Sequence, residues 1–340
     1  MLILKGIWIL SLILHAKDNF LKARLILYIV CPALVELINS KISLLEFLPV
    51  IRGYYLVLGG GKIGDSFLRY AKKAGFPFVL VIDADANAPA SLNAIVLNDR
   101  RCVIDTIRSM AASQEKDTSR KPSARKETEE KITSESHTYF HRMDVNDVFS
   151  LLAHGLPEFI IPAVTSHAAA DIVADALDFG QGGIVRKLSI TRDEGEIMFF
   201  FESLVSAFPK DIVAGSYPEH GAIFFSYAQP GEICPDNCPG KESYCRTFAR
   251  EKPRTITSYV REVTLIYPGQ VFESCQMKPG IGGIKGIDLK QNLISVMGHV
   301  LTLRQTAQEH PGIKESSFFI ATTCNCHGIL TMLQLSDSTH

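Results

Sequence analysis

An excess of charge of either sign is missing from this sequence. Its 35 Lys and Arg face 36 Asp and Glu, a formal net charge of −1 over 340 residues. A chain so nearly neutral carries no global basic field for nucleic acid and none for an anionic membrane surface. Long apolar runs are missing too. "GIWILSLIL" (6–14) and "LILYIVCPALV" (25–35) fall short of the ~18–20 residues a membrane helix needs, and Lys5, Lys17, Asp18, Lys22 and Arg24 break the region apart. The "LHAKDNF" that follows the first run is not a small-residue cleavage site, so a secretory signal is disfavoured. No Ser-His-Asp arrangement, helical H-E-x-x-H or Walker pattern is present, and no internal repeat is evident.

Hydrophobic residues make up 46% and charged residues 21%, enough to bury a sizeable core in two domains or one with attachments. Residues 1–50 read as a hydrophobic N-terminal extension, its amphipathic helices packed on the domain or lying on a membrane surface. From Tyr54 the pattern changes. "YYLVL" (54–58) reads as a buried strand, "GKIGDSFLRYAKKAG" (61–75) as a helix stopped by Gly75, and "FPFVLVID" (76–83) as a second strand. Strand, glycine turn, helix and strand make a βαβ unit, whose parallel sheet needs helices on its faces. A further short apolar piece and helix are expected over 90–110.

Residues 113–136 hold six basic and six acidic side chains with almost no apolar ones, the composition of a disordered surface insertion. "TYFHRMDV" (138–145) and "EFIIPAV" (158–164) resume the strand pattern, with helices expected over 146–156 and 166–179. Residues 51–179 are therefore expected to form a Rossmann-like α/β domain with a parallel sheet. Residues 180–340 are expected to form a smaller α+β domain containing cysteines. There "IMFFFESLVSAF", "GAIFFSYA", "VREVTLIYPG" and "SFFIATTC" read as strands or mixed segments, and 288–307 as one helix.

Gly59, Gly61 and Gly64 fit G-x-G-x-x-G. In that motif one glycine makes the turn after the strand, the second lets a pyrophosphate approach the backbone, and the third lets helix and strand pack closely. The helix start offers free N–H groups and a partial positive charge to the phosphates. Asp83 ends the second strand, where a carboxylate can accept from both ribose hydroxyls and repel a 2′-phosphate. The expected ligand is an adenine dinucleotide, NAD(H) in preference to NADP(H). Asp85 is a reserve acid, or a solvated loop residue. His167, at the end of the fourth strand, could face a nicotinamide or simply be solvated.

The stretch "YLVLGGGKIGDSFLRYAKKAGFPFVLVIDAD" resembles the N-terminal NAD-binding domain of the TrkA/RCK family, regulators of potassium transport. The resemblance covers residues 53–178 and is carried by 54–85. It implies adenine-nucleotide binding by Gly59, Gly61, Gly64 and Asp83, a transporter or membrane partner, and a homo-oligomer.

Five of the eight cysteines fall in two tight groups. A long chain with a good core needs no disulfide staples, so tight clusters read better as metal ligands in a reducing, cytoplasmic setting. "ICPDNCPGKESYC" offers Cys234, Cys238 and Cys245 at C-x3-C-x6-C spacing, one ligand short of a tetrahedral site. "ATTCNCHG" offers Cys324 and Cys326, which would share a face if they lay on a strand. Cys275 and His327 are substitute ligands. Such a set suits structural zinc or an iron–sulfur cluster; a scatter of reduced, partly buried cysteines is the plain alternative. "PGIGGIKGIDL" (279–289) reads as a flexible glycine-rich loop, or with Lys285 as an anion cradle before a helix. The expected function is a nucleotide-sensing regulator with a metal-stapled second domain, because no convincing acid–base pair is visible in the sequence; the alternatives are an NAD-dependent oxidoreductase whose metal centre lies against the nicotinamide, and a structural protein with a vestigial site. The distance from the glycine loop to the cysteines separates the first two.

Overall fold

The computed structural model describes residues 34–119, 137–178, 184–190, 195–229, 231–240, 243–309 and 316–336. Most of the hydrophobic extension, 1–33, and of the expected insertion, 120–136, lies outside the described residues. Helix α1 covers residues 34–47 and turns Ile38 and Leu45 wholly into the core. Lys41 Nζ donates to the Ala176 and Asp178 carbonyls at 2.6 and 2.9 Å. This part of the extension is therefore packed on the protein. Among the described residues no helix is long and apolar enough to cross a membrane.

Strand β1 (Val50–Leu58) leads through helix α2 (Lys62–Ala74) to β2 (Phe78–Asp83), parallel to β1. The α2 pattern explains the helix. Phe67, Leu68 and Ala71 face the sheet, Lys72 and Lys73 close the last turn, and Gly75 ends it in the left-handed region at φ 73°, where a side chain would be strained. Then come β3 (Ile95–Val96), α3 (Arg100–Ser119), β4 (His137–Arg142), the short α4 (Phe149–Leu152), β5 (Leu156–Pro162) and α5 (Ala168–Ala176). β3, β4, β2, β1 and β5 lie side by side, all parallel.

The second half supplies β6 (Val185–Lys187), α6 (Gly195–Ser206), β7 (Val213–Tyr217), β8 (Ala222–Ser226), β9 (Tyr244–Cys245), β10 (Arg250–Glu251) and α7 (Ile256–Val263). β11 (Gly269–Lys278), β12 (Ile281–Lys285), α8 (Gly286–Glu309), β13 (Ser317–Thr323) and β14 (His327–Leu335) follow. The parallel sheet does not stop at its edge strand. β12 joins β5 antiparallel, and the order continues β11, β13, β14, β8, β7, with β6 also on β14, giving twelve strands in one mixed sheet. Side chains alternate across it. Leu56, Phe318 and Ile320 fall in one core that also takes Ile38 and Leu333; Val57 packs with Phe67 and Phe140, and Phe319 with Phe201 and Val260 on the opposite face. One sheet and one core thus run through the 179/180 boundary expected from the sequence.

Four local expectations are corrected. "IMFFFESLVSAF" is helical (α6), because an element apolar on nearly all sides shows no helical period to read. Most of "VREVTLIYPG" belongs to α7 and the turn after it, the helix started by Thr255, whose side chain accepts from Ser258 N–H. Residues 113–119 extend α3, and Gln114 bonds both backbone groups of Arg52 at 3.0 and 2.8 Å. The glycine-rich 279–289 is no loop: Gly280 turns the chain at φ 80° and 281–285 form the central strand β12.

Candidate functional site

The glycine loop leaves β1 at its C-terminal end. Gly59 sits at φ 101°, and a Cβ there would lie 2.6 Å from the Ala163 carbonyl oxygen. A Cβ on Gly64 would lie 1.9 Å from the Gly59 carbonyl oxygen, so this glycine allows α2 to seat against the turn. Gly61 is different. Its φ is −65° and a Cβ would meet nothing within 4 Å. Nothing inside the fold demands glycine there; the missing side chain leaves space on the outer side of the loop.

Gly61 is also the N-cap of α2 and supplies no side-chain cap, so the first-turn N–H groups are offered outward. Asp83 braces the loop: one carboxylate oxygen accepts from Gly60 N–H at 2.6 Å, the other from Asp85 N–H at 2.8 Å. A carboxylate has about four acceptor sites, so capacity remains for a ligand's hydroxyls. Asp85 turns its own carboxylate to Asn87 N–H at 2.9 Å in the exposed loop.

The cysteine loop lies over the end of the hairpin formed by β11 and β12. The Cys238 carbonyl accepts from Gly280 N–H at 3.1 Å and from Gln276 Nε2 at 3.0 Å. Gly280 lets the loop sit down, since a Cβ would lie 1.7 Å from the Asp236 carbonyl oxygen. Cys245 comes from the small β9–β10 ribbon, paired with Arg250. Cys324 and Cys326 lie in the turn between β13 and β14. Strand alternation therefore does not relate them, and the turn sends them apart. Cys326 joins Cys234, Cys238, Cys245, His327 and Lys252 around a cavity of about 40 Å³. Cys324 and Cys275 face a neighbouring, larger pocket.

Four of the six residues at the small cavity are already engaged in pairs. Cys234 Sγ lies 3.2 Å from His327 Nε2. Cys326 Sγ lies 3.2 Å from Lys252 Nζ and donates to the Gly240 carbonyl at 3.3 Å. Burial raises the Cys234 thiol pKa, and the nearby Cys238, Cys245 and Cys326 raise it further. Burial likewise raises Cys326, against an opposing pull from Lys252. Burial lowers His327, helped by the charge of Lys252. The seven described cysteines are all free thiols. Among the described residues no three His, Cys, Asp or Glu side chains already converge as a cage for an ion. In donor chemistry the four thiols suit a thiophilic cation.

The two sites are neighbours. Lys62, the first residue of α2 and next to Gly61, pairs with Asp236 of the cysteine loop at 3.5 Å. Lys278, at the end of β11, donates to Ser66 Oγ in α2 at 2.8 Å. A pocket of about 650 Å³ opens beside this junction. Its walls include Cys234, Cys238 and Cys326 as well as Cys275, Cys324 and Asn325, and its volume is in the range of small-ligand sites.

His167 is placed away from any ligand. It is buried, with Nδ1 2.8 Å from Thr331 Oγ1 and Nε2 2.9 Å from Thr322 Oγ1, and burial pulls its pKa down to about 3. It is a structural bridge between α5 and the β13–β14 hairpin. Lys285 is exposed on β12. Lys252 has no signal in the sequence, where it reads as an ordinary surface lysine directly before Pro253 and among charged neighbours; only its 6% exposure marks it.

Residues 170–336 match a family model described as "AF_1314_C: Uncharacterized protein, C-terminal domain". An uncharacterized protein of Archaeoglobus fulgidus is 22% identical over 280 residues, covering 82% of this chain and 98% of that protein. No solved structure matches.

Proposed function

We propose that this chain binds an adenine dinucleotide, NAD(H) in preference to NADP(H), and holds a metal on Cys234, Cys238, Cys245 and Cys326, acting as an NAD-linked oxidoreductase. The observation that carries the reading is the contact between the two sites: Lys62 beside Gly61 meets Asp236 between Cys234 and Cys238.

In this reading the first half is a Rossmann-type unit. The loop N–H groups and the start of α2 receive the pyrophosphate, and Lys62 adds a positive charge beside them. Asp83 takes the ribose hydroxyls and excludes a 2′-phosphate. The thiols supply a soft donor set, and the small cavity beside them has room for a single ion, which favours zinc over an iron–sulfur cluster. When bound, a zinc ion would act as a Lewis acid toward a small substrate in the adjoining pocket. One observation favours the regulatory alternative: His167, the acid–base candidate nearest the expected nicotinamide, has both ring nitrogens committed inside the fold.

The test is anaerobic purification with metal analysis, followed by cobalt substitution and NADH titration. Cobalt–thiolate absorption should appear and should shift when NADH binds. Binding without a spectral shift would leave the nucleotide remote from the centre and support the regulator. Absence of metal and of NADH binding would remove both.

A further inference from the structure

Lys252 is 6% exposed. Lysines are almost never buried so fully without a partner of opposite charge, because an unpaired ammonium in a low-dielectric interior loses far more hydration than it regains. Among the described residues no carboxylate lies within ion-pair reach of Lys252. Its ammonium meets the Cys326 sulfur at 3.2 Å and the Gly240 carbonyl oxygen at 3.4 Å. The same carbonyl is shared with Asn325 Nδ2 at 3.3 Å. If all the surrounding thiols are neutral, the ammonium has no counter-charge among the described residues. If they are metal-bound thiolates, it has one in direct contact.

We propose that Lys252 is the built-in counter-charge of an anionic metal–thiolate centre formed by Cys234, Cys238, Cys245 and Cys326, an inference that rests on the metal reading above. Four thiolates around a divalent ion leave a net charge of −2, and Lys252 neutralises half of it. His327 Nε2 lies 3.2 Å from Cys234 Sγ and, with its proton on Nε2, gives a second N–H toward sulfur. The two donors reach different thiols, which spreads compensation over the centre. The arrangement also sorts the cysteines. Lys252 meets Cys326 and His327 meets Cys234, whereas among the described residues neither donor is bonded to Cys275 or Cys324, which line the larger pocket but not the small cavity.

The lysine should then act with opposite sign in the two states of the protein. With metal it stabilises; without metal it is a buried, uncompensated charge. A lysine that served only to pack would shift both states in one direction. The experiment compares wild type, Lys252→Met and Lys252→Arg, each loaded with zinc and each stripped by chelator. Zinc affinity is read by competition with a chromophoric chelator, and stability by thermal melting. Lys252→Met should bind zinc roughly 10-fold more weakly, the equivalent of one charge-assisted hydrogen bond. Its stripped form should melt above stripped wild type and its loaded form below loaded wild type, with Lys252→Arg closer to wild type in affinity. Equal affinities, or melting shifts of one sign in both states, would overturn the proposal while leaving the metal site intact. A wild-type protein that takes up no zinc would instead defeat the metal reading, and this proposal with it. If Lys252→Met does not fold, Cys326→Ala and Cys326→Ala/Lys252→Met decide: removing the lysine should restore stability to the cysteine variant, and a further loss would refute the pairing.

Discussion

Gly61 offers a clean separation of fold from ligand. A side chain there meets no atom within 4 Å, and the backbone at φ −65° accepts any residue. Gly61→Ala exchanges a favourable N-cap for a poor one, a loss of up to about 1 kcal/mol. Reduced freedom of the unfolded chain returns about 0.4–1 kcal/mol. The sum is near zero, and the melting temperature should move by no more than about 2–4 °C. The ligand sees something else. A Cβ, and still more the branched side chain of Gly61→Val, stands where a pyrophosphate would approach. Loss of even one hydrogen bond to a charged oxygen costs about 1.5–3 kcal/mol, a 10- to 100-fold weaker Kd. Gly64→Ala is the contrasting control, because its Cβ would lie 1.9 Å from the Gly59 carbonyl oxygen and must push α2 off β1. Calorimetric titration with NADH and thermal melting of the three variants make the comparison. Gly61→Val that melts and binds NADH like wild type refutes the reasoning, as does Gly61→Ala that is as unstable as Gly64→Ala.

Three further outcomes are expected. Asp83→Asn should narrow the preference for NADH over NADPH, read as the ratio of their dissociation constants; an unchanged ratio removes Asp83 from the ribose. Cys238→Ser should lose bound metal and melt well below the parent, since binding energy at such sites is folding energy; a metal-free parent with the same melting point as the variant would show ordinary reduced cysteines. Stability should fall with acid. His167 stays neutral in the fold down to about pH 3 while the unfolded chain takes up its proton near 6.5, so its contribution is full above pH 6.5 and is lost toward pH 3, by at most about 1.4 kcal/mol per pH unit. Asp175, raised to about 6 by burial, opposes this: its contribution is present below its unfolded pKa and is lost as pH rises through 6. Urea midpoints at pH 7.5, 5 and 4 measure the balance, and His167→Gln should flatten the acid limb even though it lowers stability throughout.

Local pattern made the first half of the fold legible. α2 and its flanking strands carry a clear change of period, and Gly59, Gly64 and Gly75 each mark a turn or close approach that only glycine allows. The second half hid its elements for two reasons. α6 carries "IMFFF", apolar with either period, and β12 is so rich in glycine that it reads as loop. The glycines of this stretch answer to neighbours outside it: a Cβ on Gly282 in β12 would strike Ser274 Oγ at 2.2 Å, and one on Gly286, the first residue of α8, the Pro157 carbonyl oxygen at 1.8 Å. The joining of two sheets through β5 and β12 has no local signature at all. At the site, cysteine spacing pointed to the loop but not to the choice between Cys324 and Cys326, because the strand ends at Thr323 and the next three residues form the turn. Burial of Lys252 is likewise a tertiary property.

The course of β11 narrows what either functional reading must explain. Within three residues of this strand, Gln276 holds the cysteine loop through the Cys238 carbonyl and Lys278 holds α2 through Ser66 Oγ. The Lys278 ammonium also lies 5.8 Å from the centre of the Tyr70 ring, another α2 residue. Gln276 and Lys278 lie on the part of β11 that pairs with β12, with a shift of register between them, while β13 pairs with residues 269–273, so α2 and the cysteine loop are linked through one short stretch of strand. An oxidoreductase would use that link to hold nicotinamide and metal near one another, and a sensor would use it to report nucleotide occupancy to the thiols. Lys278→Ala tests the shared premise. It removes the α2 contact and leaves the glycine loop, Asp83 and every thiol in place. Nucleotide and zinc should each still bind alone, but the tightening of one by the other, measured as the change in NADH Kd between loaded and stripped protein, should shrink. Coupling of undiminished size in this variant would show that the two sites communicate by another route, through Lys62 and Asp236 or through the ligand itself.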